Sequence, residues 1–319
     1  MSDQHSALDD LNPQQRAAVV HEGSPLLIVA GAGSGKTRVL TRRIAYLLSD
    51  RNVSPQEVLA ITFTNKAAGE MKERVLDLVG NKAKLMQVST FHSACVRFLR
   101  SDAQKLGRSS TFSIYDSQDS LRLITMIAAG LEINSKVLSP RSLASQISSL
   151  KSELIDHESY SRRVETEQER LVAQVYSEYD QRLARANAFD FDDLIGATVA
   201  LLQLFPDVKQ KFRKRFKHIL VDEYQDTNHA QYILIKELVG SSKDGMPAAE
   251  LCVVGDADQS IYAFRGATIR NIEEFERDFP NAKTILLEQN YRSTQNILSA
   301  ANAVISQNAE RREIGRAHV

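Results

Sequence analysis

The chain has 319 residues, 43% of them hydrophobic and 25% charged, which is the size and composition of roughly two globular domains. Its 40 basic and 40 acidic residues cancel, so a bulk basic field is excluded and any contact with nucleic acid must use local patches. The first apolar run, Leu26–Ala30, has five residues where a membrane span needs about 20, and two distant cysteines exclude a disulfide scaffold.

Short apolar runs alternate with helical patterns in the first third of the chain, an order typical of a parallel α/β sheet. The runs at 26–30 and 58–63 are predicted strands, and predicted helices follow them, the second over about 66–79. The strand pattern returns at 218–222 and 251–255. We therefore expect one sheet whose strands are separated by a long insertion.

The region before the returning strands has a helical pattern. Only Gly130 and Pro140 break the pattern between 107 and 196, and apolar residues recur there at helical spacing. We expect a helical insertion over this region. After the returning strands, 283–287 is a predicted strand and 294–305 a predicted amphipathic helix. We interpret these two elements as the start of a second α/β domain.

A glycine-rich segment, AGAGSGKT at 30–37, directly follows the first predicted strand. It fits the phosphate-binding P-loop, with Ala30 where the strict pattern has its first Gly. Backbone N–H groups of such a loop turn inward on phosphate oxygens, and the following helix adds its positive N-terminal end. Lys36 would reach the β- and γ-phosphates of ATP, and the Thr37 hydroxyl would bind Mg²⁺. The loop residues expected to bind the nucleotide are Gly31, Ala32, Gly33, Ser34, Gly35, Lys36 and Thr37.

Two adjacent acids follow the apolar residues of the predicted strand 218–222. A nucleotide site of this type needs a carboxylate at the end of a neighbouring strand to hold the metal. Asp222 is expected to bind Mg²⁺, and Glu223 to orient or deprotonate the attacking water. Taken alone, such a pair is more often an exposed strand end. Its combination with the P-loop favours the nucleotide site.

The segment VDEYQDT at 221–227 strongly resembles the superfamily 1 DNA helicases of the UvrD/PcrA/Rep family. Further segments agree with the family's motifs in the same order, and the resemblance covers about residues 8–312. These segments are LNPQQ at 11–15, ITFTNKAAGEM at 61–71, STFHS at 89–93, FDFDDL at 189–194, GDADQSIYAFRGA at 255–267 and EQNYRST at 288–294.

The resemblance implies an α/β fold with a RecA-like P-loop NTPase parallel sheet, an inserted helical subdomain and the start of a second RecA-like domain. On this basis the first RecA-like ATPase domain takes 1–108 and 187–281, the helical subdomain 109–186, and the start of the second domain 282–312.

The last residues, EIGRAHV at 313–319, can be encoded by a widely used sequencing-library adapter. We expect this tail to be non-native.

The resemblance also implies roles around the nucleotide. Gln15 would read the adenine edge, while Arg38 and Tyr291 would pack on the adenine. Gln259 and Arg292 would contact the γ-phosphate. The chemistry suits each role, because an amide can hydrogen-bond the adenine edge, an aromatic ring can stack, and a guanidinium stabilises growing phosphate charge. The expected catalytic residues are Glu223, Lys36, Gln259 and Arg292.

DNA contacts are expected in the motif segments, which the resemblance places on the sheet edge opposite the nucleotide. Aromatic rings can hold single strands because every base offers a π-face. Thr64 and Asn65 precede a predicted helix, whose free N–H groups can receive a phosphate. For Phe63 and Phe91, core packing stays open as an alternative. The expected DNA-contacting residues are Phe63, Thr64, Asn65, Phe91, His92, Tyr262, Phe264 and Arg265, with Phe264 where many relatives carry Trp.

A run of lysines and arginines at 209–217 fits either a nucleic-acid patch or a solvated face that leads into the strand before Asp222. We favour the solvated face. The arginines of the helical insertion leave the same two alternatives open.

The resemblance implies an ATP-dependent DNA helicase that couples hydrolysis of ATP with Mg²⁺ to 3′ to 5′ movement on single-stranded DNA and to duplex unwinding. Expected partners are single-stranded DNA, its junctions with duplex, and repair or replication proteins. Without a signal or membrane segment, the chain is expected in the cytoplasm. Family members continue well beyond residue 294, so we expect a truncated fragment that is inactive in unwinding. The alternatives are a P-loop switch or DNA-binding scaffold without unwinding, and the motor part of a helicase–nuclease.

Overall fold

The computed structural model describes residues 7–241, 244–256, 259 and 270–305. The strands are β1 (Leu26–Ala30), β2 (Val58–Thr62), β3 (Gln87–Thr90), β4 (Ser113–Tyr115), β5 (Ala188–Asp190), β6 (His218–Val221), β7 (Glu250–Gly255) and β8 (Lys283–Leu287). The helices are α1 (Pro13–Val20), α2 (Lys36–Ser49), α3 (Asn65–Val79), α4 (Phe91–Asp102), α5 (Ser117–Gly130), α6 (Pro140–Ser152), α7 (His157–Ser161), α8 (Glu167–Arg185), α9 (Phe191–Leu204), α10 (Pro206–Arg215), α11 (His229–Val239), α12 (Arg270–Asp278) and α13 (Gln295–Ile305).

The chain divides into two compact units. The sheet unit is made of Met1–Phe91, Lys211–Thr227 and Leu238–Val319, and the helical unit of His92–Gln210 and Asn228–Glu237. The helical unit is therefore larger than the insertion predicted at 109–186. Its extension has a packing reason, because α9 lies against α6 and the Thr198 side chain of α9 hydrogen-bonds the Cys95 thiol of α4.

In the described part of the sheet unit, six parallel strands form a sheet in the order β3-β2-β6-β7-β1-β8. Every residue of β2 and of β6 is buried, as expected for a strand covered on both faces. The predicted α/β class and parallel sheet are confirmed. The strand β3 was not predicted, because its sequence QVST carries too few apolar residues to stand out.

The strand β8 (Lys283–Leu287) begins just after the boundary expected at 282. It pairs in parallel with β1 along its whole length, from Leu26 opposite Lys283 to Ala30 opposite Leu287. The strand therefore belongs to the sheet that carries the P-loop, not to a second sheet. An apolar strand beside β1 satisfies hydrogen-bonding groups that an edge strand would leave unpaired, and sequence periodicity cannot tell which sheet it joins.

The core of the sheet unit lies between the sheet and its helices. Leu40, Ile44 and Leu47 of α2 are buried, and their spacing puts them on one helix face. They pack with Leu26 and Ile28 of β1 in one apolar cluster. Full burial of each such side chain contributes about 1.5 to 3 kcal/mol. This packing fixes the start of α2 against the end of β1, which shapes the loop between them.

The helical unit has its own apolar core, to which α5, α6 and α8 contribute. The short strands β4 and β5 pair in parallel within this unit, with Ser113 opposite Ala188. They were not predicted, because three residues are too few to show strand periodicity. Across the described ranges, none of the helices combines the length and apolar character that crossing a bilayer requires.

Candidate nucleotide-binding site

Several strands of the sheet unit end at one edge, because all strands of this sheet run in parallel. The segment 31–35 follows β1, Asp222 follows β6, Asp256 follows β7 and the segment 288–294 follows β8. Ligands of open α/β sheets bind outside the carboxyl ends of the strands. Residues far apart in the sequence are thus available to one ligand at this edge.

The loop from β1 to α2 turns on two glycines with left-handed backbone. Gly33 has φ +75° and Gly35 has φ +89°, values that L side chains rarely adopt. The Ser34 amide and hydroxyl both donate to the Gly31 carbonyl, at 3.2 and 2.7 Å. No described side chain caps the start of α2. Its first N–H groups are therefore available to an anion.

Lys36 lies at the first position of α2, among carboxylates. Its Nζ atom is 3.5 Å from Glu223 Oε2 and 3.9 Å from Asp256 Oδ2. The same atom is buried, and among the described residues it has no hydrogen-bond partner. A buried ammonium group without a hydrogen bond costs about 1 to 3 kcal/mol or more. A phosphate oxygen in the loop would supply the missing partner.

The acids after β6 repel one another. Burial, and after it the negative charge of Glu223, raises the pKa of Asp222 to about 6. The same two causes raise the pKa of Asp226 to about 6. With Asp256 nearby, negative charge exceeds the single positive charge of Lys36. This imbalance fits a site that a divalent cation completes.

An amide connects the ends of β6 and β7. Gln225 Nε2 donates to Glu223 Oε2 at 2.8 Å, and Gln225 Oε1 accepts from the Asp256 N–H at 2.9 Å. The Gln259 side chain in turn donates to an Asp256 carboxylate oxygen. Gln259, assigned to the γ-phosphate by resemblance, therefore joins the network that holds Glu223. Sequence reasoning missed Gln225 and Asp256, although both lie inside quoted motifs.

The segment 289–293, here called the clasp, lies against the P-loop. Buried Asn290 donates through Nδ2 to the Ala32 carbonyl, and its Oδ1 accepts the N–H groups of Arg292 and Ser293, each at 2.8 Å. The Tyr291 N–H donates to the Gly33 carbonyl at 2.9 Å. Sequence reasoning named Tyr291 and Arg292 but missed Asn290, the residue that anchors them.

The adenine candidates Gln15 and Arg38 lie in the first turns of α1 and α2, and Tyr291 lies in the clasp. Tyr291 is 54% exposed, and its hydroxyl accepts from Asn12 Nδ2 at 2.8 Å. Buried Gln15 donates to the Ser34 carbonyl at 3.0 Å and its Oε1 accepts the Asn12 N–H at 3.2 Å. Exposed Arg38 donates to the Asp10 carbonyl at 2.9 Å. The Gln15 amide therefore connects α1 to the P-loop, a contact that is additional to the adenine role implied by the resemblance.

The described DNA candidates differ in accessibility. Thr64 and Asn65 are exposed at the start of α3, where the Thr64 hydroxyl accepts the Ala67 N–H at 3.1 Å. Phe63 is half-buried. Phe91 is buried, which favours the core-packing alternative over a DNA contact. The candidates Tyr262, Phe264 and Arg265 lie outside the described residues, as does the tail 313–319.

Within the helical unit, the half-buried His92 ring packs edge-on against the Phe191 ring, with centroids 5.6 Å apart. Phe191 is 44% exposed, so part of its ring is accessible to a ligand. Sequence reasoning quoted Phe191 within a motif without giving it a role. The exposed ring is a further surface on which a base could stack.

The basic run is largely occupied by contacts within the chain. Lys209 and Lys217 pair with Glu237 and Glu57. Buried Arg213 binds Asp244 at 2.9 Å and the carbonyls at 241, 246 and 247. These contacts favour a structural role over a nucleic-acid patch.

Comparison with known proteins gives concordant matches. The family described as "UvrD/REP helicase N-terminal domain" matches residues 11–280. The chain is 67% identical over 311 residues to the ATP-dependent DNA helicase UvrD1 of Mycobacterium tuberculosis, covering 96% of this chain and 40% of that protein. It is 51% identical over 311 residues to the ATP-dependent DNA helicase PcrA of Staphylococcus aureus, covering 98% of this chain and 42% of that protein. The chain thus spans about 40% of the length of these curated relatives.

Proposed function

Because this chain belongs to the UvrD/REP helicase N-terminal domain family, we propose that its sheet unit binds and hydrolyses ATP with Mg²⁺. In the whole protein, this hydrolysis drives 3′ to 5′ movement on single-stranded DNA and unwinds duplex. The observation that carries the proposal is the buried Lys36 ammonium beside Glu223 and Asp256, which has no hydrogen-bond partner among the residues that the structure describes. A triphosphate and a divalent cation would satisfy the lysine and balance the carboxylates.

Two glycines of the loop have no room for a side chain. A Cβ on Gly35 would lie 3.0 Å from Gln15 Nε2, and a Cβ on Gly33 would lie 2.7 Å from Asn290 Nδ2. Both positions therefore exclude a side chain, which leaves the backbone N–H groups accessible. The hydroxyl of Thr37 and the carboxylate of Asp222 are the oxygen donors we assign to Mg²⁺. When bound, the ion offsets phosphate charge and orients the β- and γ-phosphates.

The protein's own groups have separate tasks. Lys36 stabilises negative charge that grows on the γ-phosphate oxygens as its bond to the leaving group breaks. Glu223 accepts a hydrogen bond from the attacking water and takes its proton. Gln259 and Arg292 are proposed to contact the γ-phosphate, and the exposed ring of Tyr291 is proposed to stack on the adenine with Arg38.

Single-stranded DNA and its junctions with duplex are the proposed substrates of the whole protein, with repair or replication as its setting. Exposed Thr64 and Asn65 support a phosphate contact at the start of α3. The exposed Phe191 ring beside His92 supports base stacking in the helical unit. Binding should weaken as salt rises, with a log–log slope of about −0.7 per phosphate neutralised.

The nucleotide proposal is tested by titrating the chain with fluorescent Mg²⁺–ATP and measuring single-turnover hydrolysis. Lys36→Ala should weaken binding at least about tenfold, because it removes the cation in the loop. Glu223→Gln should keep binding and slow hydrolysis by about 10² to 10⁴-fold. The exposed Lys66 is the matched control, and Lys66→Ala should leave both measurements unchanged. If the Lys36→Ala variant binds Mg²⁺–ATP as tightly as the parent chain, the proposal is overturned. If the parent chain binds Mg²⁺–ATP but shows no hydrolysis that Glu223→Gln slows, the result favours a P-loop switch.

A further inference from the structure

The Gln225 side chain lies between the Glu223 carboxylate and the Asp256 backbone in the proposed nucleotide site. It is 3% exposed and follows Glu223 by two residues, in the short turn after β6. One end of its carboxamide binds the Glu223 carboxylate at 2.8 Å, and the other binds the Asp256 N–H at 2.9 Å. Both polar ends of this buried amide are thus hydrogen-bonded, and the amide links the end of β6 to the end of β7.

The orientation of this amide is fixed by its partners. The Asp256 N–H can only donate, so it faces Oε1, and an ionised Glu223 carboxylate can only accept, so it faces Nε2. Of the standard side chains, glutamine offers a donor and an acceptor at this reach. Glutamate at the same position would set two carboxylates against each other, and leucine would remove both of these hydrogen bonds.

Glu223 needs such support. Its backbone has φ +49°, a left-handed conformation that costs a non-glycine residue about 1 to 2 kcal/mol. Among the described residues, its carboxylate has two polar partners, Gln225 Nε2 and the Lys36 ammonium 3.5 Å away. If Lys36 binds a phosphate, its hold on Glu223 weakens. Gln225 is then the contact that keeps the carboxylate in place.

We propose that Gln225 is a positioning residue that holds Glu223 for water activation and links it to Asp256 and Gln259 at the end of β7. The inference rests on the proposed ATPase function. The close approach of β7 supports the link, because a Cβ on Gly255 would lie 2.9 Å from Gln225 Oε1. The Gln225 amide thus packs directly against the backbone of β7 at Gly255, where a side chain would leave it too little room.

The first test compares Gln225→Leu and Gln225→Glu with the parent chain. Single-turnover hydrolysis should fall about 10- to 100-fold in both variants, because a misplaced base loses most of its contribution. Affinity for Mg²⁺–ADP should change less than about threefold, since Gln225 does not belong to the P-loop. A parallel loss of hydrolysis and affinity would overturn the inference.

The matched control is Gln231, a buried glutamine whose Oε1 accepts the Asn228 N–H at the start of α11. Gln231→Leu should lower the melting temperature while leaving single-turnover hydrolysis unchanged. If Gln231→Leu slows hydrolysis as much as Gln225→Leu, general destabilisation explains the result and the inference fails.

The second test is a double-mutant cycle. In a Glu223→Gln background, Gln225→Leu should cause no further loss of hydrolysis, because it acts through Glu223. Additive losses would show that Gln225 acts elsewhere and would overturn the inference. If the parent chain neither binds Mg²⁺–ADP nor responds to Glu223→Gln, the proposed function itself has failed.

A third measurement does not depend on turnover. In chain labelled with ¹⁵N-glutamine, the Gln225 side-chain amide protons should exchange slowly with solvent and should shift in Glu223→Gln. Gly255→Ala should shift them as well, because the new Cβ presses on Gln225 Oε1. Rapid exchange in the parent chain, or no response to Glu223→Gln, would overturn the inference.

Discussion

At the scale of single residues, the pKa of Glu250 is set by its contacts with cationic groups and not by its burial. Arg51 binds its carboxylate through two guanidinium nitrogens, at 2.7 and 2.8 Å, and His218 Nδ1 lies 3.4 Å away. Burial alone would raise the pKa of Glu250, but His218 and Arg51 outweigh it and hold this pKa well below 4.5. A carboxyl with a depressed folded-state pKa stabilises the fold above its unfolded pKa, and this contribution is lost as the pH falls.

Glu250→Gln should lower the free energy of unfolding by about 1.5 to 3 kcal/mol at pH 7, where the charged hydrogen bonds are intact. The difference from the parent should begin to shrink as the pH falls below about 4.5, because the unfolded parent then takes up a proton that its folded carboxylate, with the lower pKa, does not yet bind. Urea denaturation at pH 7 and pH 4 measures both values.

A suitable control is Asp207→Asn, which removes an exposed pair with Lys105 and should cost little at either pH. A loss at pH 4 as large as that at pH 7 would contradict the role assigned to the Glu250 charge.

At the scale of elements, the clasp and the P-loop are built against each other. The Gly33 carbonyl accepts the Tyr291 N–H, and the Ala32 carbonyl accepts from Asn290. A side chain at Gly33 would collide with both the clasp residues Asn290 and Arg292. The proposed nucleotide-binding loop is therefore shaped by the segment after β8 as well as by its own glycines.

Gly33→Ala should separate the clasp from the P-loop and lower Mg²⁺–ADP affinity at least about tenfold. Its Cβ would lie 2.7 Å from Asn290 and 2.8 Å from Arg292, and its φ of +75° adds backbone strain. Gly23→Ala carries similar strain, with φ +84° and open space around the added Cβ. It should cost about 1 to 2 kcal/mol of stability and leave nucleotide affinity intact.

Isothermal titration with Mg²⁺–ADP and thermal melting, applied to both glycine variants, separate the steric effect from the strain. If Gly33→Ala binds the nucleotide as tightly as Gly23→Ala, the clasp does not shape the loop.

At the scale of the whole molecule, the helical unit contains a buried charge cluster of its own. The Lys151 ammonium lies 2.7 Å from Asp193, 2.9 Å from Asp190 and 3.2 Å from Asp180. Burial raises the pKa of Asp193 to about 7, although Lys151 opposes this rise. The cluster connects α6, α8, β5 and α9 within the helical unit. Loss of the Lys151 charge should therefore lower the stability of this unit.

Lys151→Met should destabilise the helical unit by about 3 to 5 kcal/mol, because it leaves buried carboxylates without a cation. The loss should grow from pH 5 to pH 8. A carboxyl with a raised folded-state pKa favours folding at low pH, and this contribution is lost as the pH rises through that pKa. Hydrogen exchange of α6, α8 and α9 measures the change.

Lys105→Met removes an exposed ammonium and should leave this exchange unchanged. Equal effects of the two lysine variants, or a smaller loss at pH 8 than at pH 5, would contradict the cluster's stabilising role.

The predictable part of the fold has local causes. Runs such as LLIVA and VLAIT are apolar over a full strand, so β1 and β2 were predicted within one residue of their observed ends. The helix 294–305 was also predicted closely, since α13 spans Gln295–Ile305. Short or polar strands, such as β3 and β4, carry too little periodicity to be found in this way.

The amino-acid sequence by itself determined the α/β class, the P-loop between β1 and α2, and the acids after β6, because these depend on residues adjacent in the chain. Tertiary structure alone decided that β8 joins the P-loop sheet, that Phe91 is buried, and that Asn290 and Gln225 hold the site together. Those outcomes depend on which strand ends meet and which side chains fill the space between them. Such long-range packing is settled by burial and hydrogen-bond satisfaction over the whole unit, and no local pattern encodes it.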